Sequence, residues 1–309
     1  MKYRTLGKTG LNVSVLGYGA SPLGGVFREI SESEGIRTVH RALELGVNYI
    51  DCSPYYGITV AESVLGEALK DFPRESYYLA TKVGRYGDDE FDFSSGRITR
   101  SVDESLQRMK VDYIDVIQCH DIEFVQLDRI INEALPALYR LKETGKVRFV
   151  GITGFPLKAL QRVVERAEVD TVLSYCHYTL YDTSLNGLLP LLQKKGVGVI
   201  NASPLGMGLL TDRGIPSWHP APTEIVTACN RAAEFCRRMD TDIAKLALQY
   251  ALTNENIHTT LVGTASVKNL EQNIRWMEEP IDREILMQVH SILQPIHNRT
   301  WISGLEENN

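Results

Sequence analysis

The chain has 309 residues, 43% of them apolar, and 33 Lys and Arg against 39 Asp and Glu give a net charge of −6. That apolar content over that length buries a large core, which excludes a disordered chain and a disulfide-stapled miniprotein. An acidic balance with no Lys/Arg-rich run argues against nucleic acid or an anionic membrane as partner, because both are held through clustered basic side chains on phosphates. The expected partner is a small molecule.

Residues 3–10 and 11–14, joined at Thr9-Gly10, read as a short N-terminal β-hairpin. The first core strand is predicted at 13–18. A helix starts after Ser31, where Ser31-Glu32-Ser33-Glu34 forms a capping box and Ile36, Val39 and Leu43 share a face until Gly46. Strand 47–51, a helix over 61–69 and strand 77–83 come next, then a helix with Ile98, Val102, Leu106 and Met109 in one stripe. Strands at 113–119, 148–152, 171–175, 197–201 and 259–262 alternate with helical patterns at 135–141, 157–167, 188–194 and 243–252. Runs such as Val197-Gly198-Val199-Ile200 are apolar at successive positions, as strands buried on both faces are. Eight strand–helix units of roughly 30 residues therefore predict an α/β fold, a (β/α)8 TIM barrel occupying residues 1–309 as one domain. A helix over 282–293 extends it at the C-terminal side.

Five scattered cysteines, Cys52, Cys119, Cys176, Cys229 and Cys236, form no C-x-x-C pair and read as reduced thiols. Met1-Lys2-Tyr3-Arg4 opens no signal peptide and no 18-residue apolar run occurs, so a cytoplasmic location away from membranes is expected. Gly17-Tyr18-Gly19-Ala20 lacks the third glycine of a dinucleotide fingerprint, and Gly7-Lys8-Thr9 lacks the upstream glycine of a P-loop. No H-E-x-x-H or paired Cys/His spacing suggests a metal. Oligomeric state is not readable.

Catalytic groups of such barrels sit at the C-terminal ends of strands. Asp51 ends the second predicted strand, Lys82 the third, and His120 follows the fourth, while Tyr56 stands in a turn punctuated by Pro54 and Gly57. A phenol of pKa ~10 is a poor base, but an adjacent ammonium favours the phenolate. Lys82 would supply that charge, Asp51 would hold and aim Lys82, and His120 would donate a hydrogen bond to the reacting oxygen. Each residue alone also has an ordinary structural reading. Four such groups at three successive strand ends point to proton transfer coupled to a redox step.

Asp51-Cys52-Ser53-Pro54-Tyr55-Tyr56-Gly57, Ala80-Thr81-Lys82-Val83-Gly84, Gln118-Cys119-His120-Asp121, the run from Gly145 to Ile152, and the run from Ser203 to Thr211 together resemble the aldo-keto reductase family over essentially the whole chain. Gly84-Arg85-Tyr86, Phe91-Asp92-Phe93-Ser94, Cys119-His120-Asp121-Ile122-Glu123-Phe124, Ser174-Tyr175-Cys176-His177-Tyr178 and Trp218-His219-Pro220-Ala221 resemble its L-galactose dehydrogenase branch. The resemblance implies that Asp51, Tyr56, Lys82 and His120 are catalytic and that a nicotinamide dinucleotide lies across the barrel mouth. It places cofactor contacts at Gly19, Ala20, Thr153, Ser174, Ser203, Leu205, Gly263, Ser266, Gln272 and Asn273. Uncharged Gly263 and Asn269 stand where a 2′-phosphate clamp is usual, which favours NAD, with NADP as the alternative. Three departures from the family pattern are Thr153-Gly154 for a Ser-Asn pair, Ser174 for a Gln, and Ala202 for the aromatic that stacks on the nicotinamide, a role open to Tyr175 or Tyr178. The branch implies oxidation of an aldose at C1 to the lactone, L-galactose or a relative such as L-fucose or D-arabinose. Tyr55, His120, His177 and Trp301 are its substrate contacts. The alternatives are a broad NADPH-dependent aldehyde or ketone reductase and a noncatalytic nucleotide-binding accessory subunit.

Overall fold

The computed structural model describes residues 1–26 and 28–309. Strand β1 (Tyr3–Thr5) pairs antiparallel with β2 (Asn12–Ser14) across a short 3-10 turn at Gly7–Thr9. Eight parallel strands then close into a barrel: β3 (Leu16–Gly19), β4 (Tyr49–Asp51), β5 (Tyr78–Val83), β6 (Ile114–Cys119), β7 (Val147–Gly154), β8 (Thr171–Tyr175), β9 (Gly198–Ala202) and β10 (Thr259–Gly263), which returns to β3. This is the predicted (β/α)8 fold. One strand differs from expectation. The run 13–18 is broken after Ser14, whose side chain bonds Leu16 and Asn48, so Val13 and Ser14 stay in the hairpin and the barrel begins at Leu16.

Helix Glu32–Glu44 is capped as predicted, Ser31 Oγ accepting from the Glu34 amide at 3.2 Å. Three features escaped the periodicity reading: a π-helical segment, Ile130–Ala134, ahead of helix Leu135–Glu143, the helix Val267–Glu278, and the whole helix Thr223–Arg238. Helix Thr223–Arg238 buries Ile225, Cys229, Ala232 and Cys236, a proper helical stripe but one made mostly of small residues, against helix Arg283–Leu293. All five cysteines are buried and free. Among the described residues no helix is long and apolar enough to cross a membrane.

The hairpin decides which end of the barrel is open. Leu6, Leu11 and Val13 pack into the interior against Tyr49, Ala80, Val116, Leu173, Ile200 and Leu261. That end is plugged by apolar side chains, leaving the C-terminal ends of the strands as the mouth. Because side chains alternate along a strand, inward Tyr49, Ala80, Val116, Leu173, Ile200 and Leu261 send Asp51, Lys82, Gln118, Tyr175, Ala202 and Gly263 inward one step nearer the mouth.

Candidate active site

Asp51 on β4 pairs in the ladder with Ala80 on β5, and Lys82, two residues further along β5, reaches it from the same side; both are almost wholly buried, and they form a direct ion pair. The ammonium makes two further hydrogen bonds, to the Cys52 carbonyl at 2.7 Å and the Tyr56 hydroxyl at 3.2 Å. All three of its donors are thereby used. The second carboxylate oxygen of Asp51 accepts from Gln118 Nε2 at 2.8 Å. Gln118 was missed from the sequence although it precedes His120 by two residues and so shares its side of β6.

Tyr56 is carried by the turn after β4, and that turn is seated backbone to backbone. A Cβ at Gly57, whose φ is +63°, would lie 2.2 Å from the Gly24 carbonyl, and one at Gly24 would lie 2.5 Å from the Tyr56 carbonyl. Only glycine permits this approach. Beyond the turn, Glu62 of helix Val60–Leu69 is fully buried and accepts from Thr81 of β5 at 2.6 Å and from Arg108 at 2.7 Å. The Tyr56 segment is thus tied to the strand that carries Lys82.

His120 meets the Tyr56 ring edge-on with centroids 5.8 Å apart. Its Nδ1 is 3.0 Å from Ser53 Oγ, and its Nε2 is 3.6 Å from Asp121 Oδ2, which Arg85 holds at 2.6 Å. The Arg85 guanidinium also lies 3.9 Å over the Tyr55 ring, whose hydroxyl donates to Asp88 at 2.8 Å. Asp51, Tyr55, Tyr56, Lys82 and His120 therefore converge. Ser53, Arg85 and Asp121 complete the group without having been singled out.

Burial sets the protonation states. The Tyr56 phenol is pushed up to about 12 because desolvation outweighs the opposing pull of Lys82. This reverses the expectation that the ammonium would lower it. His120 is held down to about 3, first by burial, so its ring is neutral. Lys82 is raised despite its burial, because Asp51 and Tyr56 favour the charged form.

A second cluster occupies the β7–β8 side. Trp301 stacks on Phe155 with centroids 4.8 Å apart, and Phe155 lies 4.6 Å from His177 and 5.2 Å from Tyr175. His177 Nδ1 faces Asp182 and Ser184 at 3.2 and 3.0 Å, while its buried Nε2 has no partner among the described residues. Trp301 arrives on the C-terminal tail, which is pinned to buried Glu123. That carboxyl accepts from Ser303 Oγ at 3.1 Å, and its carbonyl accepts from Leu305 N and Asn308 Nδ2, each at 2.9 Å.

Among residues expected to meet the cofactor, Gly19 and Gly263 are ladder partners at the mouth, and buried Ala20 donates its amide to the Asp51 carbonyl at 2.8 Å. Thr153 Oγ1 accepts from the Asp121 amide at 3.0 Å. Ser203, with φ 54°, starts the turn that contains Leu205. Ser266 caps helix Val267–Glu278, on which Gln272 accepts from Arg275 and Asn273 is buried. Ser174 needs correcting. It alternates with Leu173 and Tyr175, which face the barrel interior, and so points outward with Val172 toward the helices. Tyr175 takes the inward place, and in the ladder it pairs with Ala202. Tyr178 stacks on Tyr250 instead. The mouth thus offers an aromatic beside the small Ala202, paired glycines and a capped helix N-terminus, a surface that fits a dinucleotide.

The model of the aldo/keto reductase family matches residues 15–294. The chain is 49% identical to the L-galactose dehydrogenase of Arabidopsis thaliana, covering 100% of this chain and 99% of that one. It is 34% identical to the D-arabinose 1-dehydrogenase of Saccharomyces cerevisiae over 84% of this chain and 82% of that one. The holo form of an aldo-keto reductase from Bacillus halodurans superposes with a TM-score of 0.80 at 28% identity, covering 100% of this chain and 99% of the other.

Proposed function

Because the chain belongs to the aldo/keto reductase family and is an oxidoreductase acting on CH–OH groups, we propose that it oxidises an aldose at C1 to the lactone with NAD as hydride acceptor. The substrate would be L-galactose or a related sugar such as L-fucose or D-arabinose. The observation that carries this reading is the hydrogen-bonded row from Gln118 through Asp51 and Lys82 to the Tyr56 hydroxyl, with His120 beside the phenol.

A nicotinamide held at the mouth would supply the acceptor for the hydride leaving C1 of the sugar. Tyr56, as phenolate, takes the proton of the C1 hydroxyl, and the C1–O bond becomes the lactone carbonyl. Lys82 stabilises the phenolate through its 3.2 Å contact, and Asp51 keeps Lys82 charged and aimed. Neutral His120 holds the reacting oxygen. Tyr175 supplies the aromatic face that Ala202 lacks. Tyr55, His177 and Trp301 contact the sugar, whose apolar face suits the Trp301–Phe155 stack and whose hydroxyl suits the unpartnered Nε2 of His177.

NAD over NADP is supported by Gly263 and Asn269, which carry no charge for a 2′-phosphate, and by Arg275, whose guanidinium is bonded to Gln272 at 2.9 Å. The names of the two dehydrogenase relatives favour a sugar over a simple aldehyde. The test is a panel of L-galactose, L-fucose, D-arabinose, L-glucose and D-galactose with each dinucleotide, followed at the reduced-nicotinamide absorbance, with Tyr56→Phe beside the wild type. Turnover of an aldose with NAD, lost in Tyr56→Phe while NAD binding persists, is the expected result. Inactivity toward every aldose would refute the sugar assignment, and a fully active Tyr56→Phe would refute the role of Tyr56.

A further inference from the structure

We propose that Ser53 is a positioning residue that fixes the tautomer of His120, donating its hydroxyl proton to Nδ1 so that the ring presents Nε2–H to the reacting oxygen. The inference rests on the role given to His120 above and adds what sets it.

Three contacts carry the argument. Ser53 is fully buried, and its Oγ already accepts the Tyr55 amide proton at 3.1 Å. Its hydroxyl proton must therefore find an acceptor, and His120 Nδ1 at 3.0 Å is the acceptor the fold places there. Were Nδ1 itself protonated, Oγ would receive two donors and its own proton would be stranded in a dry interior, an arrangement folded proteins avoid. The other ring nitrogen gives the same answer independently. Nε2 lies 3.6 Å from the Asp121 carboxylate oxygen, too far for a good hydrogen bond but near enough for its charge to favour a proton over a lone pair there. The fold enforces the relay through the turn itself. Asp51 ends β4, Ser53 and Tyr55 follow at every second position, and the Tyr55 amide that orients Ser53 belongs to the segment that carries Tyr56. The carboxylate, the hydroxyl that sets the imidazole and the phenol are thus delivered by one short stretch of chain.

The test reads the tautomer directly, by ¹⁵N–¹H correlation across the His120 ring in wild type, Ser53→Ala and Ser53→Thr, assigned with His120→Gln. Wild type should show an unprotonated Nδ1 and a protonated Nε2. Ser53→Ala should shift the ring toward Nδ1–H and lower kcat about tenfold with little change in KM, the loss expected of one misdirected hydrogen bond. Ser53→Thr, which keeps the hydroxyl, should restore both. A wild-type ring protonated at Nδ1 overturns the proposal without any variant having to fold, and so does an unchanged tautomer in Ser53→Ala. Because the ring is read without substrate, a correct tautomer shift in a protein that oxidises no aldose would refute the sugar assignment and leave the role of Ser53 standing.

Discussion

Replacing Lys82 by Met tests whether the Asp51–Lys82 pair is held as tightly as its surroundings imply. Both side chains are almost fully buried, and the Asp51 carboxylate keeps only the Gln118 amide when the ammonium is gone. An uncompensated charge there is too costly, so the carboxyl is expected to take a proton. Linkage then limits the penalty. The unfolded chain releases that proton near the ordinary carboxyl value of ~3.9, so the variant loses ~1.4 kcal/mol for each pH unit above it, roughly 4 kcal/mol at pH 7 and about 1.5 at pH 5. With unfolding entropy of ~2.1 cal/mol/K per residue, about 0.65 kcal/mol/K for 309 residues, the drop in Tm is roughly 6 °C at pH 7 and about 2 °C at pH 5. Urea denaturation at the two pH values measures it. Adding Asp51→Asn removes the titrating group and should abolish the pH dependence. A loss equal at pH 5 and pH 7, or unchanged pH dependence in the double variant, would refute the reasoning.

Three further outcomes can be measured, two set by burial and one by backbone conformation. Without cofactor, the phenolate absorbance difference between wild type and Tyr56→Phe should stay flat to about pH 11, since the phenol is pushed up to about 12; titration near pH 9 would contradict this. The Glu123 carboxyl is raised to about 8 by burial and by Asp121, so it stays neutral in the folded protein while the unfolded chain ionises near 4.5. Wild type should therefore lose stability relative to Glu123→Gln as pH rises from about 4.5 to 8, read as a widening Tm difference. Ile58 is exposed, branched at Cβ and held at φ 48°. Ile58→Asn should raise stability by roughly 1 kcal/mol in denaturant titration, because Asn tolerates the left-handed region.

The sequence carried the barrel and its polar strand ends because both depend on alternation, which survives without coordinates. Alternation also contained Gln118, two residues from His120, and would have turned Ser174 outward had the inward face of β8 been known. That face depends on which residues meet the hairpin plug, a contact between distant parts of the chain. Helix Thr223–Arg238 hid because its buried stripe includes Ala232, Cys229 and Cys236, weak signals beside Leu or Ile. The sign of the Tyr56 shift was not readable either. Lys82 and the phenol were both predicted, but which effect wins depends on how completely the turn seals the hydroxyl from water.

That sign constrains the direction of the chemistry. A phenol near 12 with Lys82 already beside it is an acid at neutral pH, suited to giving a proton to a carbonyl oxygen. To act as the base of sugar oxidation at pH 7 it must lose that proton against a gap of about five pH units, on the order of 7 kcal/mol. Its row of neighbours holds little in reserve, since Lys82 has no donor left to give and His120 is neutral. The missing stabilisation has to enter with what binds in the mouth, and the oxidised nicotinamide ring is cationic whereas the reduced ring is neutral. Oxidation of an aldose by this site therefore requires that NAD lower the Tyr56 value by several units, and the charge difference between the rings predicts that NADH lowers it far less. The wild-type minus Tyr56→Phe absorbance, repeated with each form saturating, measures that difference. A value still near 12 in the NAD complex would leave Tyr56 an acid and make carbonyl reduction the reaction this site is built to run.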